Sequence, residues 1–149
     1  MTNEQLIKKY GQPGANLTTM LFPYPMYYDG KLVKTTKVHK DYAESLKNAL
    51  AEVYDYYGPD EIKRLGLDQY GGCYNNRKLT GSDDKLSIHA FAAAIDFYPS
   101  KNTYTMKADK ALFAKPEYDP FIDLMEKHGW WSLGRAKGFD YMHFQVEKI

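Results

Sequence analysis

The sequence lacks several features that would place it in a specialised class. It contains one cysteine, Cys73, which excludes an intrachain disulfide and a cysteine-based zinc site. Its 20 basic residues nearly balance its 19 acidic residues, and no basic run argues for nucleic acid as a partner. No apolar stretch approaches the roughly 20 residues of a membrane span, so membrane insertion is not expected. The N-terminal segment has no apolar core of a secretory signal, so we expect synthesis in the cytosol and action elsewhere only after release.

The length and composition fit an ordinary globular protein. We expect the 149 residues to form a single domain, residues 1–149, and a monomer. The first 30 residues are rich in glycine and proline, so residues 1–40 are predicted to be an extended segment packed on that domain. Fourteen tyrosines, seven phenylalanines and two tryptophans provide side chains for a core or for a binding groove.

Two helices and several short strands are predicted. Apolar residues recur on one face of residues 41–59, with Asp41 as a candidate N-cap and Gly58 followed by Pro59 at the end. A second helix begins near Asp119. Strands are predicted at 31–40, 71–77, 94–98 and in the C-terminal segment, and loops at 76–85 and 129–139. Because the order lacks a regular βαβ alternation, the predicted fold class is α+β.

Two histidines and one aspartate are candidate metal ligands. His89 and Asp96 lie in the otherwise apolar stretch SIHAFAAAIDFYP, and His143 lies in FDYMHFQ near the end of the chain. Two neutral imidazoles and a carboxylate match a catalytic zinc centre, which uses three protein ligands and leaves one position open. The alternative is a core histidine bonded to a backbone carbonyl, with Asp96 capping a turn. The spacing alone does not decide between them. His39 and His128 are interpreted as structural.

Asp140 lies three residues before His143. A zinc hydrolase needs a carboxylate that is not a ligand, which takes a proton from the water nucleophile and passes it to the leaving amine. Asp140 is a candidate for this base. The alternative is a solvated turn residue after Gly138.

Taken together, the motifs resemble a family of zinc-dependent peptidoglycan peptidases. SIHAFAAAIDF resembles the SxHxxGxAxD signature of the D-alanyl-D-alanine carboxypeptidases, the vancomycin-resistance dipeptidases and the phage L-alanyl-D-glutamate endopeptidases. FDYMHFQ resembles the second signature of the family, GGCYNNRKLTGS the arginine-bearing segment before the first, and GWWSLG the Gly-Trp-rich stretch before the second. The resemblance covers residues 40–149. One departure is Ala92, which stands at the glycine of the motif and is tolerable if its φ is negative.

The resemblance implies the Hedgehog/D,D-peptidase fold, a small antiparallel sheet with flanking helices. It implies Zn²⁺ bound by His89, Asp96 and His143. It further implies Asp140 as general base and acid, and Arg77 as the cation that steadies the developing oxyanion. Three further residues are candidates for supporting roles: Ser87 beside the ligands, and Trp130 and Trp131, which either wall the substrate groove or belong to the core.

The leading functional hypothesis is a zinc endopeptidase of the phage endolysin type that cuts the peptide stem of peptidoglycan between L-alanine and D-glutamate. The second keeps the chemistry but acts as a D-alanyl-D-alanine carboxypeptidase or dipeptidase. The third is a wall-binding or phage structural module without turnover, for which the replacement of glycine by Ala92 leaves room.

Overall fold

A computed structural model describes residues 1–79, 81–82 and 84–149. Thr80 and Asp83, both in the predicted loop 76–85, lie outside the described residues. Helices and short antiparallel strands alternate irregularly along the chain, which confirms the predicted α+β class. The elements are α1 Asn3–Tyr10, β1 Leu17–Tyr28, β2 Lys31–His39, α2 Ala43–Leu65, β3 Tyr70–Gly72, β4 Ala94–Phe97, α3 Asp119–Lys127, β5 Trp131–Ser132, α4 Leu133–Lys137 and β6 His143–Gln145.

The first 40 residues contain more regular structure than the sequence predicts. They form α1 and a long antiparallel hairpin of β1 and β2. A capping box between Thr2 and Gln5 starts α1, which offsets the weak helix tendency of so short a segment. Pro23 and Pro25 are accommodated in β1 because the pairing register shifts between Leu21 and Met26, where they lie. The prediction of an extended segment over residues 1–40 therefore missed the helix α1, while the strand predicted at 31–40 corresponds to β2.

Helix α2 supplies one wall of the main core. Its apolar stripe is completely buried at Leu46, Ala49, Leu50 and Val53, as the helical spacing predicts. The helical run continues to Leu65 beyond a kink at Gly58, whose φ is +78°, so the predicted end is a bend followed by a second helical piece. The predicted cap was wrong, because Tyr42 occupies the N-cap position and makes no side-chain bond there.

A four-stranded antiparallel sheet, in the order β3-β4-β6-β5, carries the centre of the molecule. Phe121 from α3 packs edge-on against Phe97 of β4, Phe144 of β6 and Phe113. These rings are buried and close one side of the sheet. Strands β4 and β6 are therefore held rigidly at the middle of the fold.

The Gly-rich segment after α3 is structured and is not the predicted loop. It forms β5 and the short helix α4, whose first turn is capped by Ser132 Oγ accepting from the Arg135 amide at 3.0 Å. Among the described residues, no helix combines the length and apolarity that crossing a membrane requires.

Candidate metal centre

His89 is presented by a short 3₁₀ turn, Ile88–Phe91. Ser87 caps this turn, since its Oγ accepts a hydrogen bond from the His89 amide at 3.2 Å. The imidazole Nδ1 lies 2.8 Å from the backbone carbonyl of Cys73. A carbonyl can only accept, so Nδ1 carries the proton and Nε2 presents a lone pair. The residues around His89 thus leave its Nε2 free to bind a metal ion.

Asp96 and His143 are brought together by strand pairing. They are direct partners in the antiparallel register of β4 and β6, and side chains of directly paired residues lie on the same face of a sheet. His143 Nδ1 faces Asp96, while its Nε2 lies 2.8 Å from Gln145 Oε1. The fold therefore joins residues 47 positions apart in the sequence.

The donor atoms of these three residues converge. Asp96 Oδ1 lies 3.3 Å from His89 Nε2 and 3.3 Å from His143 Nδ1, and one donor atom from each residue lies within 4.8 Å of the others. Ligand atoms at about 2.0–2.1 Å from a tetrahedral zinc ion are about 3.4 Å apart. The spacing of the donor atoms fits such an ion, and so does their chemistry, which is that of two neutral imidazole nitrogens and one carboxylate oxygen.

Buried polar atoms without hydrogen-bond partners give independent support for a cation site. Among the described residues, His89 Nε2, Asp96 Oδ1 and Asp140 Oδ1 are buried and have no hydrogen-bond partner. In the 3.3 Å contact with Asp96 the unprotonated His89 Nε2 faces a carboxylate oxygen, so two lone pairs meet without hydrogen-bond geometry. An orphaned buried polar atom costs roughly 1–3 kcal/mol, and two of these three belong to the ligand set. A bound cation would satisfy both.

The charges of the cluster are strongly coupled. Burial by itself would raise the pKa of Asp96, but the two neighbouring histidines outweigh it and hold that pKa well below its usual range. Burial would lower the pKa of His143, yet the neighbouring Asp96 carboxylate raises it overall. The site is thus built around a carboxylate that stays ionised and attracts positive charge.

Asp140 stands beside this cluster in an unfavourable environment. It is only 6 % exposed and its backbone is in the left-handed region, with φ at +55°. Burial raises the pKa of its carboxyl to about 6; His143 lowers it and Asp96 raises it to smaller extents. A carboxyl whose pKa lies near the working pH is suited to taking up and releasing a proton.

Two clefts meet at the cluster. The first, which we call the hairpin-side cleft, has a volume of about 370 Å³ and is lined by Tyr28 of the β1–β2 hairpin and by residues 70–75. The second, the loop-side cleft, has a volume of about 400 Å³ and is lined by Tyr104, Phe139, Asp140 and His143 among others. The residues lining both clefts include Arg77, His89 and Asp96.

Arg77 lies outside the group of three donor residues. It is half-buried, lines both clefts, and its guanidinium donates to the Lys78 carbonyl at 3.1 Å. Its charge also lowers the pKa of Asp140 slightly. Arg77 thus presents a positive charge to both clefts.

The two tryptophans do not form the groove. Trp130 is completely buried, and its indole N–H donates to Ser45 Oγ at 3.1 Å, so it belongs to the core. Trp131 is half-buried with Lys148 Nζ 4.9 Å from its ring centre, and neither tryptophan is among the described residues that line the two clefts. The core alternative therefore holds for Trp130, whereas Trp131 lies neither in the buried core nor along the two clefts.

Ala92 adopts the conformation that the motif glycine favours. Its φ is +53°, so the condition under which the methyl group is tolerable, a negative φ, is not met. The left-handed conformation costs a non-glycine residue roughly 1–2 kcal/mol, but the buried Ala92 still ends the His89 turn, with its amide donating to the His89 carbonyl at 3.0 Å. The alanine at this position strains the backbone, but the three donor residues still lie close together.

Two residues at the site were not identified from the sequence. Gln145 contacts His143, and its place two residues after that histidine on the same strand face is the signal that would have revealed it. Tyr28 comes from the hairpin tip, and only the folded structure brings it near residue 70.

The fold and the cluster define an α+β protein with a candidate centre for a divalent cation. Residues 80–146 match the sequence model of a family described as D-alanyl-D-alanine carboxypeptidase. The match confirms the family resemblance predicted from the sequence, and it relates this part of the chain to the peptidases. It includes His89, Asp96, Asp140 and His143, and it begins after Arg77. Comparison with curated proteins and with solved structures finds no match.

Proposed function

We propose that the protein is a zinc-dependent endopeptidase that cuts the peptide stem of bacterial peptidoglycan between L-alanine and D-glutamate. The family match supports hydrolysis of a peptide bond in this polymer. The converging donors of His89, Asp96 and His143 support a metal-assisted reaction.

In this proposal His89 Nε2, Asp96 Oδ1 and His143 Nδ1 hold the zinc ion. Bound zinc supplies Lewis-acid polarisation and lowers the pKa of water at the site to about 7. Asp140 takes the proton from the water nucleophile and delivers it to the leaving amine. Burial raises its pKa, which makes it a better proton acceptor than an exposed carboxylate.

In this proposal Arg77 stabilises the negative charge that develops on the carbonyl oxygen during the reaction. A guanidinium remains charged at every working pH and offers several donors to an oxygen on which negative charge develops. The position of Arg77 supports this assignment, because its side chain lines both of the clefts that meet at the donor residues.

The observation that favours an endopeptidase is the pair of clefts. In the sheet order β3-β4-β6-β5, the hairpin-side cleft contacts β3 and the loop-side cleft contacts β6, on opposite sides of Asp96 in β4. Each cleft lies within the size range of ligand pockets. A substrate therefore has room for more than one residue on each side of the bond that is cut, as an endopeptidase needs, whereas an enzyme that removes one terminal residue needs room for only that residue on one side.

The test is digestion of purified peptidoglycan followed by mass spectrometry of the products. We expect new D-glutamate amino termini with the wild-type protein and none with His143→Ala. Release of free D-alanine without new D-glutamate termini would reject the endopeptidase.

A D-alanyl-D-alanine carboxypeptidase is the second candidate, and the description of the matching family favours it. Both candidates use the same residues, so the bond that is cut distinguishes them. In the digestion above, free D-alanine as the only product supports this second candidate.

A further inference from the structure

We infer that Gln145 is a positioning residue that fixes the tautomer and orientation of His143 for the metal. This inference rests on the proposed function, because it assumes that His143 is a metal ligand.

The chain of contacts starts at a group whose role is unambiguous. The backbone carbonyl of Glu147 can only accept a hydrogen bond, and Gln145 Nε2 lies 3.0 Å from it. The amide NH₂ of Gln145 must therefore face Glu147, which directs Oε1 towards His143.

The orientation of the amide then decides the state of the imidazole. Gln145 Oε1 lies 2.8 Å from His143 Nε2 and, as a carbonyl oxygen, accepts the hydrogen bond. His143 Nε2 thus carries the proton, and Nδ1 presents its lone pair to Asp96, 3.3 Å away. Without Gln145 the Asp96 carboxylate that faces Nδ1 would favour the proton on that nitrogen, and the tautomer with Nδ1–H cannot bind a metal through Nδ1.

The far end of the chain is itself fixed. The Glu147 carboxylate accepts a hydrogen bond from the hydroxyl of Tyr10 at 2.5 Å and also pairs with Lys9. Both partners belong to α1, and Tyr10 is completely buried. Helix α1 therefore holds the segment whose carbonyl orients Gln145, which links the N-terminus of the chain to the metal centre.

His89 shows the same arrangement with a different partner. Its Nδ1–H donates to the Cys73 carbonyl, so Nε2 is the free nitrogen. A backbone carbonyl cannot be removed by a side-chain substitution, whereas Gln145 can be replaced. Partners of this kind typically contribute 10–100-fold to metal affinity.

The test compares zinc affinity, because Gln145 also lines the loop-side cleft and a loss of activity alone would be ambiguous. We expect Gln145→Leu to raise the zinc Kd 10–100-fold, measured by competition with a chelating dye at pH 7.5. Gln145→Glu keeps an acceptor opposite Nε2, so its Kd should be closer to that of the wild type than to that of Gln145→Leu. Gln69→Leu is the matched control. Gln69 is also half-buried, but among the described residues its side chain bonds to the adjacent Asp68 and to no metal-ligand candidate, so the zinc Kd of Gln69→Leu should not change.

A second readout detects the hydrogen bond directly. Nitrogen-15 NMR of the zinc-loaded protein should show a His143 Nε2–H that exchanges slowly with solvent in the wild type and faster in Gln145→Leu. An unchanged Kd and an unchanged exchange rate in Gln145→Leu would overturn the inference and leave the proposed function intact. Failure of the wild-type protein to bind zinc would overturn both.

Discussion

Asp140 combines three features that are unfavourable for folding. Its carboxyl is buried, one of its oxygens has no hydrogen-bond partner among the described residues, and its φ is +55°. Strain and unsatisfied charge of this kind are typical of functional positions and lower stability. We therefore expect Asp140→Asn to remove turnover and to stabilise the metal-free protein. Asparagine suits the test because it has the same shape and tolerates the left-handed conformation.

The size of the effect follows from the pKa. The pKa of Asp140 is about 6 in the folded protein and about 3.9 in an unfolded chain. Between these values the folded state binds more protons than the unfolded state, so this group lowers stability progressively as the pH rises from about 4 to 6. A difference of about 2 pH units corresponds to about 3 kcal/mol, which is present in full above about pH 7.

The assay is urea denaturation with a chelator present, at several pH values between 4 and 7.5. The free energy of unfolding of Asp140→Asn minus that of the wild type should increase by about 2–3 kcal/mol over this range and then level off. Asp109→Asn, at an exposed aspartate, is the matched control and should give a constant difference. A difference for Asp140→Asn that does not change with pH, or that decreases as the pH rises, would refute the reasoning.

Three further predictions concern other parts of the molecule. His143→Ala should lose both zinc and turnover while Asp140→Ala keeps zinc and loses turnover; near-normal lysis by Asp140→Ala would show that the base is wrongly assigned. Arg77→Ala should lower kcat about 10²–10³-fold with unchanged zinc content, as for the loss of an oxyanion donor; an equal loss of zinc would give Arg77 a structural role instead. Gly66→Ala should cost more than about 2 kcal/mol in urea denaturation, because its φ is +70° and a Cβ would lie 2.0 Å from a tyrosine ring. Gly30→Ala has a similar φ in open space, and an equal cost for both would contradict the steric argument.

Local patterns predicted the elements whose signals are strong in the sequence. The buried stripe of α2 follows from helical spacing, and β2 and β4 follow from short apolar or alternating runs between breakers. Helix α1 was missed because eight residues are marginal for a helix and its stability depends on the capping box and on tertiary contacts of Leu6 and Tyr10. The prolines of β1 were taken as breakers, although an irregular register accommodates them.

The candidate ligands were recognised from motif chemistry, but their geometry depends on long-range pairing. No local pattern states that Asp96 and His143 are register partners, since that depends on how β4 and β6 align. The same holds for the tautomers, which are set by a carbonyl at Cys73 and an amide at Gln145. The positive φ of Ala92 is likewise a property of the folded turn.

The decisive measurement is anomalous X-ray diffraction at the zinc absorption edge from crystals of the protein grown with zinc. We predict one anomalous peak about 2.0–2.2 Å from His89 Nε2, Asp96 Oδ1 and His143 Nδ1. A peak bound at other side chains, or none at these three atoms under saturating zinc, would contradict the metal centre and the peptidase mechanism built on it.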